Sequence, residues 1–181
     1  ARATAARRHL ARHAGAARLY LLLCIAASVH AAAGRAEERP EDALVAGKAA
    51  LEDGLYELAR KDLERCLDLV GGSQPGGTVG HDAALALLRV LQESEQPKEL
   101  LDLLQKRKSR VRAHLTEAES VFWKAWALHE TGKPDEALAQ LKDYERKYAG
   151  TAYAGQAMRL RGWCHLRLGQ HEDAIASFRM F

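Results

Sequence analysis

Residues 124–141 read KAWALHETGKPDEALAQL and residues 161–178 read RGWCHLRLGQHEDAIASF. Laid over one another at a shift of 37 residues, they agree: Trp126 falls on Trp163, Gly132 on Gly169, Ala137 on Ala174 and Ala139 on Ala176. Lys124 pairs with Arg161, Ala125 with Gly162, Asp135-Glu136 with Glu172-Asp173, and Leu138 with Ile175. Self-similarity at a fixed period of this size marks a repeat architecture. Working outward, the same template fits upstream, with Gly47 under Ala125, Gly54 under Gly132, Ala59 under Ala137 and Leu63 under Leu141. A weaker copy lies between, with Pro97 under Pro134, Leu100 under Ala137 and Leu104 under Leu141. The anchors Ala59, Leu100, Ala137 and Ala174 are spaced 41, 37 and 37 residues apart, which makes four copies.

Each copy reads as helix, tight turn, helix. In the third, Thr116 and Glu119 form a capping-box pattern ahead of Val121, Phe122 and Ala125, and the helix is expected to end at Gly132. Pro134 then suits a first helical turn, Asp135 and Glu136 complement the helix dipole, and Leu138, Leu141 and Tyr144 form an inner stripe. Pro97 with Glu99, and Pro40 with Glu41 and Asp42, start helices in the same way. Glycine and alanine recur at facing columns because helices joined by so short a turn must approach closely. A larger side chain there costs about 1–3 kcal/mol through overpacking. No segment alternates as a strand does, so the fold is all-α.

Gly47, Gly54, Tyr56, Ala59 and Leu63, and again Gly162, Gly169, Ala174 and Phe178, resemble the tetratricopeptide repeat (TPR). The resemblance covers residues 40–181 and implies a right-handed solenoid of αα-hairpins, about four repeats long. The usual period of 34 residues is stretched here by about three. The stretch Lys147-Tyr148-Ala149-Gly150-Thr151-Ala152-Tyr153-Ala154 resembles the connector of one subgroup. That subgroup contains the TPR domains of periplasmic outer-membrane-assembly lipoproteins and cell-division coordinators. The spacer Gly71 to Gly80 accounts for the 41-residue step. It lacks the Gly-Lys-Ser/Thr ending of a phosphate loop and is expected to be a flexible connector.

The N-terminus has a different character. Arg2, Arg7, Arg8, Arg12, Arg18 and Arg35 precede the first acid, Glu37. An apolar block from Leu19 to Val29 follows the first five, and then Ala31-Ala32-Ala33. A basic region, a short apolar core and a small-x-small exit predict a secretory signal over residues 1–33, with residues 34–40 as a linker and 41–181 as the repeat domain. A mitochondrial transit peptide would be Ser-rich and amphipathic. A twin-arginine signal fits Ala6 and His9 poorly, and a lipoprotein signal would not place Leu23 before Cys24. The sequence thus predicts export to the periplasm or cell envelope of a bacterium. Removing residues 1–33 takes away five arginines and leaves 22 Lys and Arg against 24 Asp and Glu, so the formal charge of +3 becomes −2. The basicity belongs to the leader, and no nucleic-acid partner is expected.

With 48% hydrophobic and 28% charged residues, the composition excludes a disordered chain, a collagen and a disulfide-stapled mini-protein. Cys24, Cys66 and Cys164 form no framework and no C-x-x-C. His165 and His171 lack a metal-helix spacing; His165 is expected to be an inward packing residue and Cys66 a buried thiol. No G-x-S-x-G, H-E-x-x-H or carboxylate pair points to catalysis, so no enzyme, cofactor or metal is expected.

Two stretches carry candidate binding residues. Lys106, Arg107, Lys108, Arg110 and Arg112 put five cations into seven residues. They are expected to form the solvated C-terminal end of a helix; as a site they would be candidate contacts for an anionic partner or a membrane surface. The resemblance further implies that the first helix of each hairpin lines a concave groove. By column, that lining is Leu44 and Lys48, Leu85 and Arg89, Phe122 and Trp126, then Arg159 and Trp163. Two tryptophans beside arginine have the composition of a binding hot spot, and the other role open to them is packing inside the hairpin, as expected of Trp123. A carboxylate clamp of the family's chaperone-binding type needs groove asparagines, and the chain has none.

Phe178 and Phe181 read as inward positions, so the reading frame is expected to continue beyond them. Together these features predict a protein–protein interaction scaffold of the bacterial envelope, binding an extended or helical segment of a protein or peptide partner. Recruitment of a substrate to a catalytic domain elsewhere in a longer chain, and a module binding anionic surfaces, are the alternatives. Oligomeric state is left open.

Overall fold

A computed structural model describes residues 38–71, 77–106 and 109–180. The predicted signal over residues 1–33, Arg107, Lys108 and Phe181 lie outside the described residues. Among the described residues there are ten helices and no strand: α1 (Pro40–Glu52), α2 (Tyr56–Val70), α3 (Thr78–Glu93), α4 (Pro97–Gln105), α5 (Arg110–Ala113), α6 (Glu117–Glu130), α7 (Pro134–Leu141), α8 (Tyr144–Tyr148), α9 (Ala154–Arg167) and α10 (His171–Arg179). Adjacent helices pair as α1 with α2, α3 with α4, α6 with α7, and α9 with α10. Each hairpin stacks on the next through α2 on α3, α4 on α6 and α7 on α9, which builds an all-α, TPR-like helical repeat solenoid.

The repeat is visible in the helix ends. First helices stop at Glu52, Glu93, Glu130 and Arg167, and second helices start at Tyr56, Pro97, Pro134 and His171, both with steps of 41, 37 and 37 residues. The turn between them reverses the chain by putting one residue in the left-handed region, where a Cβ is costly. Gly54, Gly132 and Gly169 fill it at φ of 72°, 79° and 73°, and Glu95 fills it in the second hairpin at 57°.

Small residues at the facing columns allow the close approach that the sequence implies. A Cβ on Gly47 would lie 2.7 Å from Leu63 Cγ, and one on Gly162 would lie 2.5 Å from Phe178 Cε1. The second hairpin departs from this rule, because Leu88 holds the column of Gly47, Ala125 and Gly162. Leu88 is fully buried, and the second hairpin gains the extra turn α5, which also packs on α3. Just after α5, His114 is buried against Gly80, whose Cβ would fall 2.6 Å from His114 Nδ1.

Four expectations are corrected by local structure. The spacer ends earlier than its composition implies: Thr78, Val79 and Gly80 are already the first turn of α3, and Gly80 is buried. The inner stripe Leu138–Leu141–Tyr144 spans a break, since α7 stops at Leu141 and Tyr144 begins α8. Tyr144 stays inward because its hydroxyl donates to the Ala118 carbonyl at 3.0 Å. The cationic run does not simply end a helix: α4 ends at Gln105, and Ser109 starts α5 by accepting a hydrogen bond from the Arg112 amide at 3.4 Å. His165 is not inward. Cys164, the neighbouring residue, takes the buried place, while the half-buried His165 bonds Gln170 Oε1 through Nδ1 at 2.6 Å.

Candidate functional site

First helices supply one lined face. Lys48 on α1, Asp82, Leu85 and Arg89 on α3, and Tyr153 at the start of α9 enclose a cleft of about 540 Å³. Phe122 and Trp126 on α6, with Arg159, Leu160 and Trp163 on α9, enclose a second of about 450 Å³. Seven of the eight groove positions expected from the repeat columns thus line these two clefts. Leu44 is the exception: at 8% exposure it belongs to the core.

The two clefts differ in chemistry. In the first, the Lys48 ammonium holds Asp82 Oδ2 at 2.7 Å, and Arg89 faces Glu93 at 4.0 Å. The cations there are met by carboxylates, so this part offers paired charges to a ligand. The second is aromatic. Phe122 and Trp123 meet edge to face with ring centres 5.5 Å apart, and Trp123 meets Trp126 in the same way at 6.0 Å. Trp123 is buried, as the packing role requires. Trp163 leans on Phe178 at 5.6 Å, yet 52% of it remains exposed, far more than an interior tryptophan keeps.

Tyr153 is the residue that column reasoning missed. It lies in the connector, one residue ahead of α9, and so outside the repeat template. Its ring stacks on Phe122 at 4.7 Å and meets Trp123 at 6.0 Å, while it also lines the cleft around Lys48 and Arg89. It therefore joins the polar and aromatic parts of the face. Burial pushes its hydroxyl above the ordinary tyrosine range, so it remains a neutral phenol near neutral pH.

Behind the aromatic part, Cys164 Sγ sits 3.4 Å from His129 Nδ1. Burial pushes the thiol up to about 11, and burial together with Arg167 lowers His129. Both groups are held neutral, the reverse of an activated thiolate–imidazolium pair. Burial likewise raises Cys66. Among the described residues, no group of three or more His, Cys, Asp or Glu is placed to hold a metal ion.

The cationic run lies elsewhere, beside a cleft of about 730 Å³ floored by Leu67, Leu87, Leu103 and Val111. Lys106 pairs with Asp102 at 2.5 Å, and Arg110 pairs with Asp68. Arg112 is exposed. Among the described residues no helix is long and apolar enough to cross a membrane.

Residues 156–181, which contain Arg159, Trp163 and most of the last hairpin, match the family model described as Tetratricopeptide repeat. The last hairpin is thus similar to a tetratricopeptide repeat. The other three hairpins keep its turn column and its helix boundaries, so the solenoid is TPR-like throughout. No curated protein matches the chain. The match suggests a protein–protein interaction scaffold.

Proposed function

We propose that the chain is an exported scaffold of the bacterial cell envelope that binds an extended or helical segment of a protein partner along its first-helix face. One observation carries this reading: Trp163 is half exposed on a face where Phe122, Trp126 and Tyr153 already form an aromatic wall. Exposed tryptophan beside aromatic and cationic neighbours is the composition of interface hot spots. The polar cleft around Lys48, Asp82 and Arg89 lies on the same face and supplies charge contacts that fix register more than affinity. The envelope setting rests on the leader-like residues 1–33, and the likeness to periplasmic assembly and cell-division proteins rests on the connector before α9.

The test is a crosslinking pull-down from envelope extract, comparing the chain with a Trp163→Ala variant and a Trp126→Ala/Trp163→Ala variant that keep their helical circular dichroism. Partners captured by the parent chain are expected to be lost by both variants. Truncating a hot-spot tryptophan costs about 2 kcal/mol or more, roughly thirtyfold in affinity. Equal capture by all three proteins would assign the tryptophans to packing and remove the groove reading. Fractionation of cells expressing the full chain addresses the location, and retention in the cytosol would count against export.

A further inference from the structure

The first-helix face carries a charge pattern that its own packing does not use. Helices α1, α3 and α6 all end on a glutamate: Glu52, Glu93 and Glu130. Glu52 and Glu93 line the polar cleft and Glu130 lines the aromatic one, and all three are exposed. A helix C-terminus carries the negative end of the dipole and favours cations, so an acid in the last position works against the helix. That happens in three successive hairpins, and little ion pairing is gained in return. Glu52 pairs with no cation among the described residues. Arg89 stands at 4.0 Å from Glu93, and the group 3.9 Å from Glu130 is His129, which burial and Arg167 keep neutral. Lys48 is taken up by Asp82 at 2.7 Å. Over the two clefts, Glu52, Asp82, Glu93 and Glu130 outnumber Lys48, Arg89 and Arg159.

Two further observations point to what this edge receives. Arg167 of α9 donates to the His129 carbonyl at the end of α6, so a guanidinium already docks there once within the chain. Trp123 is buried in the wall of the aromatic cleft, and its Nε1–H has no hydrogen-bond acceptor. The Tyr153 hydroxyl is close enough to feel it, yet the two are not hydrogen bonded. A buried donor left unpaired is costly, and a backbone carbonyl of a bound peptide would satisfy it.

We propose, on the basis of the groove reading, that the bound segment is an extended basic peptide with Lys or Arg at about every third residue, set against Glu52, Glu93 and Glu130. Packed helices stand about 8–10 Å apart, and three residues of extended chain cover about 9–10 Å. Apolar side chains of the segment lie on Phe122, Trp126 and Trp163, where a cation also stacks favourably on an indole face. An acidic segment meets the same three carboxylates and the same helix ends as repulsion.

Fluorescence anisotropy of the chain with labelled synthetic peptides tests this. The probes are four repeats of Lys-Leu-Pro, the same peptide with Glu for Lys, and one with its four lysines gathered at one end. The first is expected to bind on the order of tenfold more tightly than the second, and more tightly than the third, with the advantage shrinking in high salt. Glu52→Gln, Glu93→Gln and Glu130→Gln should each weaken binding about two- to fivefold, and the triple variant on the order of tenfold or more. All three positions are exposed, and circular dichroism checks that the variants stay folded. Asp135→Asn, which removes an exposed acid from α7, should leave binding unchanged. No binding of the basic peptide, equal binding of the acidic one, or binding that the triple variant keeps overturns the proposal. The envelope pull-down separates it from the groove reading. Partners lost by Trp126→Ala/Trp163→Ala but kept by the triple glutamine variant overturn the basic segment alone, whereas partners kept by both variants overturn both readings.

Discussion

Glu95 sits at φ 57° in the column that Gly54, Gly132 and Gly169 hold in the other hairpins. An L-residue in the left-handed region costs roughly 1–2 kcal/mol, part of which glycine returns through its larger unfolded-state entropy. Glu95→Gly is therefore expected to stabilise the second hairpin by about 0.5–1 kcal/mol, read as a raised urea midpoint with an unchanged slope. A lower midpoint would show that the Glu95 side chain contributes more than its backbone costs. The repeat was legible at this scale wherever one residue type answers one physical demand: glycine at a positive φ, or glycine where Leu63 or Phe178 presses on the facing helix. Glu95 hides the same demand behind an ordinary side chain. His165 and Cys164 show the opposite difficulty, since a helix carries adjacent residues to different faces and a repeat alignment alone did not settle which one turns inward.

At the scale of the element, α6 is the most firmly started helix. The Thr116 amide donates to Glu119 Oε2 at 2.8 Å, the Glu119 amide donates to Thr116 Oγ1 at 3.3 Å, and His81 reaches the same carboxylate from α3. Burial pushes the Glu119 carboxyl up, but the hydrogen bonds from Thr116 and His81 outweigh it and hold it below the ordinary value of 4.5. A depressed carboxylate contributes stability that is fully present above its unfolded-state value and is lost as pH falls through its folded value. Urea titrations at several pH values should therefore show the parent chain losing stability below about pH 4.5 more steeply than Glu119→Gln. The two should differ at neutral pH by on the order of 1 kcal/mol and converge in acid. Parallel curves would mean that the carboxylate's charge plays no part. This cap was legible because it is written within four residues. The break between α7 and α8 was not, because no glycine or proline marks it and Tyr144 is held inward by a carbonyl 26 residues away. Tyr153 escaped for a related reason: its role comes from three neighbouring elements, and none of that is written in the connector.

For the whole molecule, a solenoid has no single centre, and its stability is close to a sum of hairpins and nearest-neighbour junctions. The first junction holds Lys48–Asp82 and the forked Arg60–Glu99 contact, which links α2 to α4 with one arm at 2.9 Å. The last junction rests on the Arg167 contact to the His129 carbonyl, on Cys164 against His129, and on Tyr153 against Phe122 and Trp123. Gly162→Leu tests how far damage at one end travels. Even a Cβ there would sit 2.5 Å from the Phe178 ring, so α9 and α10 must separate, at a cost of about 1–3 kcal/mol. Native-state hydrogen exchange should then show amides of α9 and α10 losing protection by about that amount, with α1 to α3 nearly unchanged. Urea unfolding should begin earlier and broaden, because a terminal hairpin can melt while its neighbours hold. In a fold built around one core the same substitution would lower protection everywhere together. That uniform loss would show that the four hairpins unfold as a single cooperative unit, with junctions stronger than the hairpins they join.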